Sequence, residues 1–283
     1  MDNLIFRMNG AAFDDGYRLD KMVSGLHGTQ QVLEGVYKGV TGKYRLSKRD
    51  RELYKLIAQD VEHGSLLVTL GAVFSGVQQT LPFLPSLSPD DMWEYTKASA
   101  AFLYDIYKAA HDGQPITITQ DGENTSVVNK GNDNAVHVYN GPVYQIGTQI
   151  ITGLRTLDDA LEEDNVKEIN LGSKFEEKPA IKMPFTEKGL YYPPTSIDKE
   201  PKTVSCDIFD FNKYDQIGKL KVSESGEIPE GNYKFRVVGR QEVEDYILSM
   251  TVKKVEVHCM VEYENDPLRE SRIGTLLIID VAA

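Results

Sequence analysis

The chain is poor in the residue types from which most recognisable chemistry is built. Its 283 residues include 2 cysteines, 1 tryptophan and 5 histidines. Two cysteines, Cys206 and Cys259, are too few for a disulfide framework. Both sit in alternating apolar segments, where a free thiol behaves as a small buried hydrophobe. None of His27, His63, His111, His137 and His258 has the spacing of a metal-ligand pair, and neither cysteine has a near neighbour to complete one. A phosphate-binding Walker loop, a Gly-x-Gly-x-x-Gly turn after a strand and a Gly-x-Ser-x-Gly elbow are also missing. No catalytic residue, metal or cofactor is therefore expected from spacing. A site assembled in space stays open, and it would need a cleft gathering His63, Ser65 and a carboxylate.

Long apolar runs are scarce too. The single membrane candidate, residues 66–85, is uncharged but carries Gln78, Gln79, Pro82 and Pro85, which break a spanning helix. A buried strand followed by an apolar connection fits it better. Met1, Asp2, Asn3 and Leu4 lack the basic start and apolar core of a signal peptide. With so little cysteine, this points to a cytoplasmic protein without stable membrane insertion. Positive charge is in deficit as well: 31 Lys and Arg stand against 43 Asp and Glu, a net −12. That surface repels phosphate backbones on average, so nucleic-acid binding would need a local basic patch.

An apolar fraction of 41% and a charged fraction of 26% mark a globular chain, and its length suits two domains. Leu19, Met22, Val23, Leu26, Leu33, Val36, Tyr37 and Val40 fall at three- and four-residue spacings and predict one long helix. Asp14 or Asp15 would cap its start and Gly42 its end. Four glycines, Gly25, Gly28, Gly35 and Gly39, interrupt it at about 1 kcal/mol each. Gly28, Gly35 and Gly39 share a face that admits another backbone, from the same domain or from a second subunit. Internal packing is the commoner use of such a face; self-association is the sharper reading.

Residues 53–73 read either as a helix, with Ser47 and Asp50 at capping-box positions, or as a hairpin folded at His63-Gly64-Ser65. The hairpin is preferred. Ser88, Pro89 and Asp91 open a second long helix that ends at Asp112-Gly113. Two alternating runs follow, with Gly131-Asn132-Asp133-Asn134 as a turn. Val143, Ile146, Ile150, Leu154, Leu157 and Leu161 form a seam on a third helix. That helix runs into Asp158, Asp159, Glu162, Glu163 and Asp164, which oppose its dipole and form a candidate patch for a basic partner.

Prolines at 179, 184, 193, 194 and 201 place a linker over residues 173–201. It divides an α+β domain over 1–172 from a β-barrel or sandwich over 202–283. Strands are predicted over 203–211, 219–223, 233–238, 246–252, 255–263 and 273–281. Asp207 and Asp210, at odd spacing on one strand, point to opposite faces and cannot chelate together. The densest basic feature is Lys43, Arg45, Lys48, Arg49, Arg51 and Lys55, flanked by Tyr44 and Tyr54. It is either a solvated loop or a patch for phosphate or an acidic partner.

The order of a long first helix, Val61-Glu62-His63-Gly64-Ser65-Leu66, a capped helix, Val128-Asn129-Lys130-Gly131-Asn132 and a β-rich C-terminal domain resembles an uncharacterised bacterial protein family. That resemblance implies an association with phage defence and no catalytic residues. The leading expectation is thus a non-enzymatic interaction or assembly protein, self-associating or docking on a protein partner. The alternatives are a nucleic-acid-binding protein, using the basic patch and a C-terminal barrel of the oligonucleotide-binding kind, and an enzyme with an unfamiliar site.

Overall fold

A computed structural model of the protein describes residues 4–62, 66–74, 89–121, 125–130, 135–223, 226–240 and 242–282. The chain forms two compact units, Met1–Tyr192 and Pro193–Ala283. The expected α+β class holds, and of the two C-terminal alternatives, barrel and sandwich, the chain forms a closed barrel.

The first unit is built on a five-stranded antiparallel sheet. Its strands are β1 (Leu4–Asn9), β2 (Tyr54–Glu62), β3 (Leu66–Phe74), β7 (Glu168–Ser173) and β8 (Ile181–Pro184), in the order β2-β3-β1-β7-β8. Strands β2 and β3 pair from Tyr54↔Phe74 to Glu62↔Leu67, which decides residues 54–74 in favour of the hairpin. Its turn at His63-Gly64-Ser65 lies outside the described residues, as does any cleft around His63 and Ser65. A separate three-stranded sheet holds β4 (Ile116–Asp121), β5 (Thr125–Lys130) and β6 (Ala135–Asn140). The turn expected at Gly131-Asn132-Asp133-Asn134 is likewise outside the described residues.

Four helices complete this unit among the described residues: α1 (Leu19–Thr41), α2 (Lys48–Leu53), α3 (Pro89–His111) and α4 (Val143–Ala160). Gly42 ends α1 in the left-handed region, at φ 66°. The start differs from expectation: Arg18 takes the N-cap position without a side-chain cap, since a 3-10 turn at Ala11–Phe13 occupies the chain before it. Leu19 and Val23 are 71% and 62% exposed, so the apolar stripe begins only in the second half of the helix, with Val32, Leu33, Val36 and Tyr37 buried.

The glycine face of α1 is filled from within the unit. A Cβ at Gly28 would sit 2.8 Å from the Leu157 side chain, one at Gly35 2.8 Å from Gln149 O, and one at Gly39 2.7 Å from Ile146. The descending order of the α4 partners makes the two helices antiparallel. From the other side, a Cβ at Gly153 would lie 2.6 Å from the backbone N of Val32 and 2.9 Å from Gly28 O. Val143, Ile146, Ile150, Leu154, Leu157 and Leu161, the seam of α4, are all fully buried. Neither the glycines nor the seam is open to a second copy, which corrects the self-association reading of Gly28, Gly35 and Gly39. Backbone contact excludes any larger side chain there, which is why helix-disfavoured glycine persists.

The boundary between the two units, at Tyr192/Pro193, falls within the expected stretch 173–201, but much of that stretch is folded. Residues Ile181–Pro184 form β8, registered on β7 from Glu168↔Pro184 to Leu171↔Ile181, and residues from Thr195 onward already belong to the barrel. Proline is tolerated at an edge strand because that position needs fewer ladder donors.

The second unit is a closed barrel of β9 (Thr195–Asn212), β10 (Ile217–Val222), β11 (Gly231–Val237), β12 (Val255–Glu264) and β13 (Arg272–Ala282), in the order β10-β11-β13-β12-β9. Every pairing is antiparallel except β11 with β13. A fifth helix, α5 (Val243–Ser249), connects β11 to β12. The five strands close through first-to-fourth and third-to-fifth pairings, with a helix between the third and fourth. The strand expected over 246–252 is α5 and the turn after it. Tyr246 and Ser249, three residues apart, are buried, and the Tyr246 ring stacks on Phe211 at 5.3 Å. The interior is apolar, from Val204, Ile208, Leu220 and Phe235 to Val257 and Ile278. Cys206 and Cys259 lie in this core, where burial pushes their thiols up to about 12 and about 11, and they act as hydrophobes.

Replacing Gly153 by alanine must push α1 and α4 apart, so Gly153→Ala should cost about 2 kcal/mol or more. At Gly147 a Cβ would meet side chains, Leu103 at 3.3 Å and Phe102 at 3.5 Å, rather than backbone. Gly147→Ala should therefore be neutral or slightly stabilising through helix propensity. Urea denaturation of the two variants checks the contrast.

Candidate functional site

The outer face of β10 and β11 is the most distinctive surface of the barrel. Alternation along these strands turns Leu220, Val222, Phe235 and Val237 inward, and Lys219, Lys221, Lys234 and Arg236 outward. Register places Lys219 directly opposite Lys234, and Ile217 opposite Arg236. Like charges facing each other across two strands cost stability, by a few tenths of a kcal/mol or more. Lys219 is relieved by Asp210 at 3.1 Å; Lys221, Lys234 and Arg236 have no carboxylate partner among the described residues. Residues 193–283 carry 12 Lys and Arg against 17 Asp and Glu, so this face inverts the sign of its own unit. A trough of about 520 Å³ runs along it, bounded by Ile217, Lys219, Lys234, Arg236, Thr275 and Glu262.

A bulge in β9 adds an aromatic group. Lys219 pairs with Asp210 and Leu220 with Ile208, which leaves Phe209 as the extra residue. Phe209 and Asp210 are both exposed, Phe209 by 48%. An unbulged strand would have turned one of the two into the core. The same bulge shifts parity, so that Asp207 opposite Lys221 and Asp210 opposite Lys219 share a face, contrary to the odd-spacing expectation. In the turn from β9 to β10, Tyr214 is 86% exposed with the Lys213 ammonium 5.1 Å from its ring centre. Four cations on one face, with an exposed ring at Phe209 in the neighbouring strand and another at Tyr214 in the β9–β10 turn, have the chemistry for phosphate contacts and base stacking. Sequence reading missed it because these cations are scattered over residues 219–236 and gather only through strand pairing.

The basic run in the first unit is partly spent. Ser47 and Asp50 do form a capping box at the start of α2: Ser47 N and Oγ donate to Asp50 Oδ2 at 2.9 and 2.7 Å, and Asp50 N donates to Ser47 Oγ at 3.2 Å. Lys43 donates to the other oxygen of Asp50, so its charge is neutralised within the fold. Arg45, Lys48, Arg49 and Arg51 are exposed, whereas Lys55 belongs to β2.

The acidic patch is used for structure as well. Asp158 is buried and accepts from Gly189 N at 2.8 Å, with burial pushing its carboxyl up. Asp159 accepts from the Tyr192 hydroxyl at 2.8 Å, and Glu162 pairs with Lys21. Only Glu163 and Asp164 of the five point freely to solvent. These contacts explain why negative charge sits at the end of α4 despite the dipole: it anchors the segment 188–192. The ring Nε2 of His111, 3.1 Å from Leu190 O and 3.0 Å from Tyr192 O, secures the same segment.

Comparison with protein-family models, with curated proteins and with solved structures gives no match to the chain in any of the three. Among the described residues, no group of three or more His, Cys, Asp and Glu could hold a metal, and no helix is long and apolar enough to cross a membrane.

The capping box has a pH signature. Burial pushes the Asp50 carboxyl up, but hydrogen bonds from Lys43 and Ser47 outweigh it and bring its pKa down to about 2. A carboxyl depressed on folding contributes stability above its unfolded pKa, and that contribution is lost as pH falls through the folded value. The stability gap between the wild type and Asp50→Asn should thus be on the order of 2 kcal/mol above pH ~5 and close between pH ~4 and ~2. Urea melts over that range measure it.

Proposed function

We propose that this chain is a binding protein for single-stranded nucleic acid, engaged on the outer face of β10 and β11. The observation that carries the reading is the row Lys219, Lys221, Lys234 and Arg236, set beside exposed Phe209 and Tyr214 on a barrel of this topology. The strand order and the helix between the third and fourth strands resemble barrels of the oligonucleotide/oligosaccharide-binding kind, in which the second and third strands form the usual ligand face. Stacking on two rings favours unpaired bases, which expose their flat faces, over a duplex, which hides them. The proposal keeps the protein among non-enzymatic interaction proteins and takes bacterial antiviral defence, implied by the resemblance, as its setting. The features that favoured self-association, the glycine face and the α4 seam, are occupied internally and lend that reading no support.

Binding of a fluorescent oligo(dT) to the full chain, followed by anisotropy, tests this. Affinity should fall with salt with a log–log slope of about −3 for four phosphate contacts. Phe209→Ala and Tyr214→Ala should each weaken binding by about 1–3 kcal/mol with little change in slope. Lys234→Glu/Arg236→Glu should abolish it. An absence of binding at low salt, or full affinity in the double variant, contradicts the proposal.

A further inference from the structure

A second surface of inverted charge lies in the first unit, where α1 ends and α4 begins. After Gly42 the chain turns through residues 43–47 into α2. Between this turn and the first turns of α4 runs a groove of about 390 Å³, edged by Lys38, Lys43, Tyr44, Gln145, Thr148 and Gln149. Among the described residues no carboxylate lines it, in a chain with 43 acidic residues. Just outside it, Arg45, Lys48, Arg49 and Arg51 are exposed and have no carboxylate partner among the described residues.

Two further features make this a recognition surface. Tyr44 is 79% exposed, with the Arg45 guanidinium 5.8 Å from its ring centre, so an aromatic platform and a cation stand side by side. The turn that carries them is cross-linked by hydrogen bonds. Asp50, 4% exposed, ties Lys43 and both Ser47 donors into one network, which lowers the ordering cost of binding. Lys43 spends its charge on that network, leaving Lys38 in the groove and Arg45 just outside it as cations with no carboxylate partner among the described residues.

We propose that this groove binds a nucleotide. The aromatic base lies on Tyr44, the amides of Gln145 and Gln149 face its edge, and the phosphates meet Lys38 and Arg45. The ligand is a phosphate ester of a base, supplied either as a free nucleotide or as the 5′-phosphorylated end of a strand. This reading stands apart from the barrel face and is tested with that face silenced.

The experiment uses the full chain carrying Lys234→Glu/Arg236→Glu, titrated calorimetrically with ATP, with tripolyphosphate and with a short 5′-phosphorylated oligo(dT). ATP should bind. Tyr44→Ala should weaken ATP about tenfold while leaving tripolyphosphate unchanged, because only the base uses the ring. Lys38→Ala/Arg45→Ala should weaken both. An oligonucleotide that binds tighter than ATP assigns the site to a strand end; one that binds equally or more weakly assigns it to a free nucleotide. Tyr44 is exposed, so its loss leaves the fold intact, and circular dichroism verifies that. Absence of ATP and oligonucleotide binding at millimolar concentration, or unchanged affinity in both sets of variants, overturns the proposal.

Discussion

The first unit depends on the backbone approach of α1 to α4. Gly28, Gly35 and Gly39 on one helix, and Gly153 on the other, remove the side chains that would hold the axes apart, and the two main chains come within van der Waals contact. Everything nearby follows from that closeness. The α4 seam is buried without a partner subunit, and Gly25 lets α1 settle on Phe6 and Met8 of β1. The C-terminal end of α1 is brought beside the start of α4, which creates the groove under Tyr44. Glycines that weaken a helix locally are retained because the interface outweighs their propensity cost.

The barrel obeys a different constraint. Closing five strands removes the open edges that would invite pairing with other chains. It also forces irregularities where strands turn, and the bulge at Phe209 is one of them. Its functional weight comes from position, since it delivers a ring to the edge of the basic row. One like-charge pair, Lys219 opposite Lys234, crosses β10 and β11, and Asp210 already relieves Lys219. Lys221, Lys234 and Arg236 keep their charge for the proposed ligand.

Much of the architecture could be read from residue patterns, and the failures share a cause. Strong local signals served well: the seam of α4, Gly42 as helix stop, the Ser47/Asp50 box, the hairpin of β2 and β3. The class and the C-terminal barrel followed from short alternating runs. Residues 246–252 misled because Tyr246, Leu248, Met250 and Val252 alternate like a strand, while Tyr246 and Ser249 are the pair that the core selects. The site was legible only in part. Contiguous charge at 43–55 and 158–164 stood out, and much of it turned out to hold loops in place. The cations of the barrel face lie apart in sequence and meet only through register, and the bulge that exposes Phe209 has no local signature.

The account turns on where a single strand rests. Hydrogen–deuterium exchange of the full chain, with and without saturating oligo(dT) at low salt, reads this directly. Slowed exchange concentrated in residues 209–222 and 231–237 is the predicted result. Exchange in those segments that is unchanged by the oligonucleotide, while the chain is bound, would contradict it.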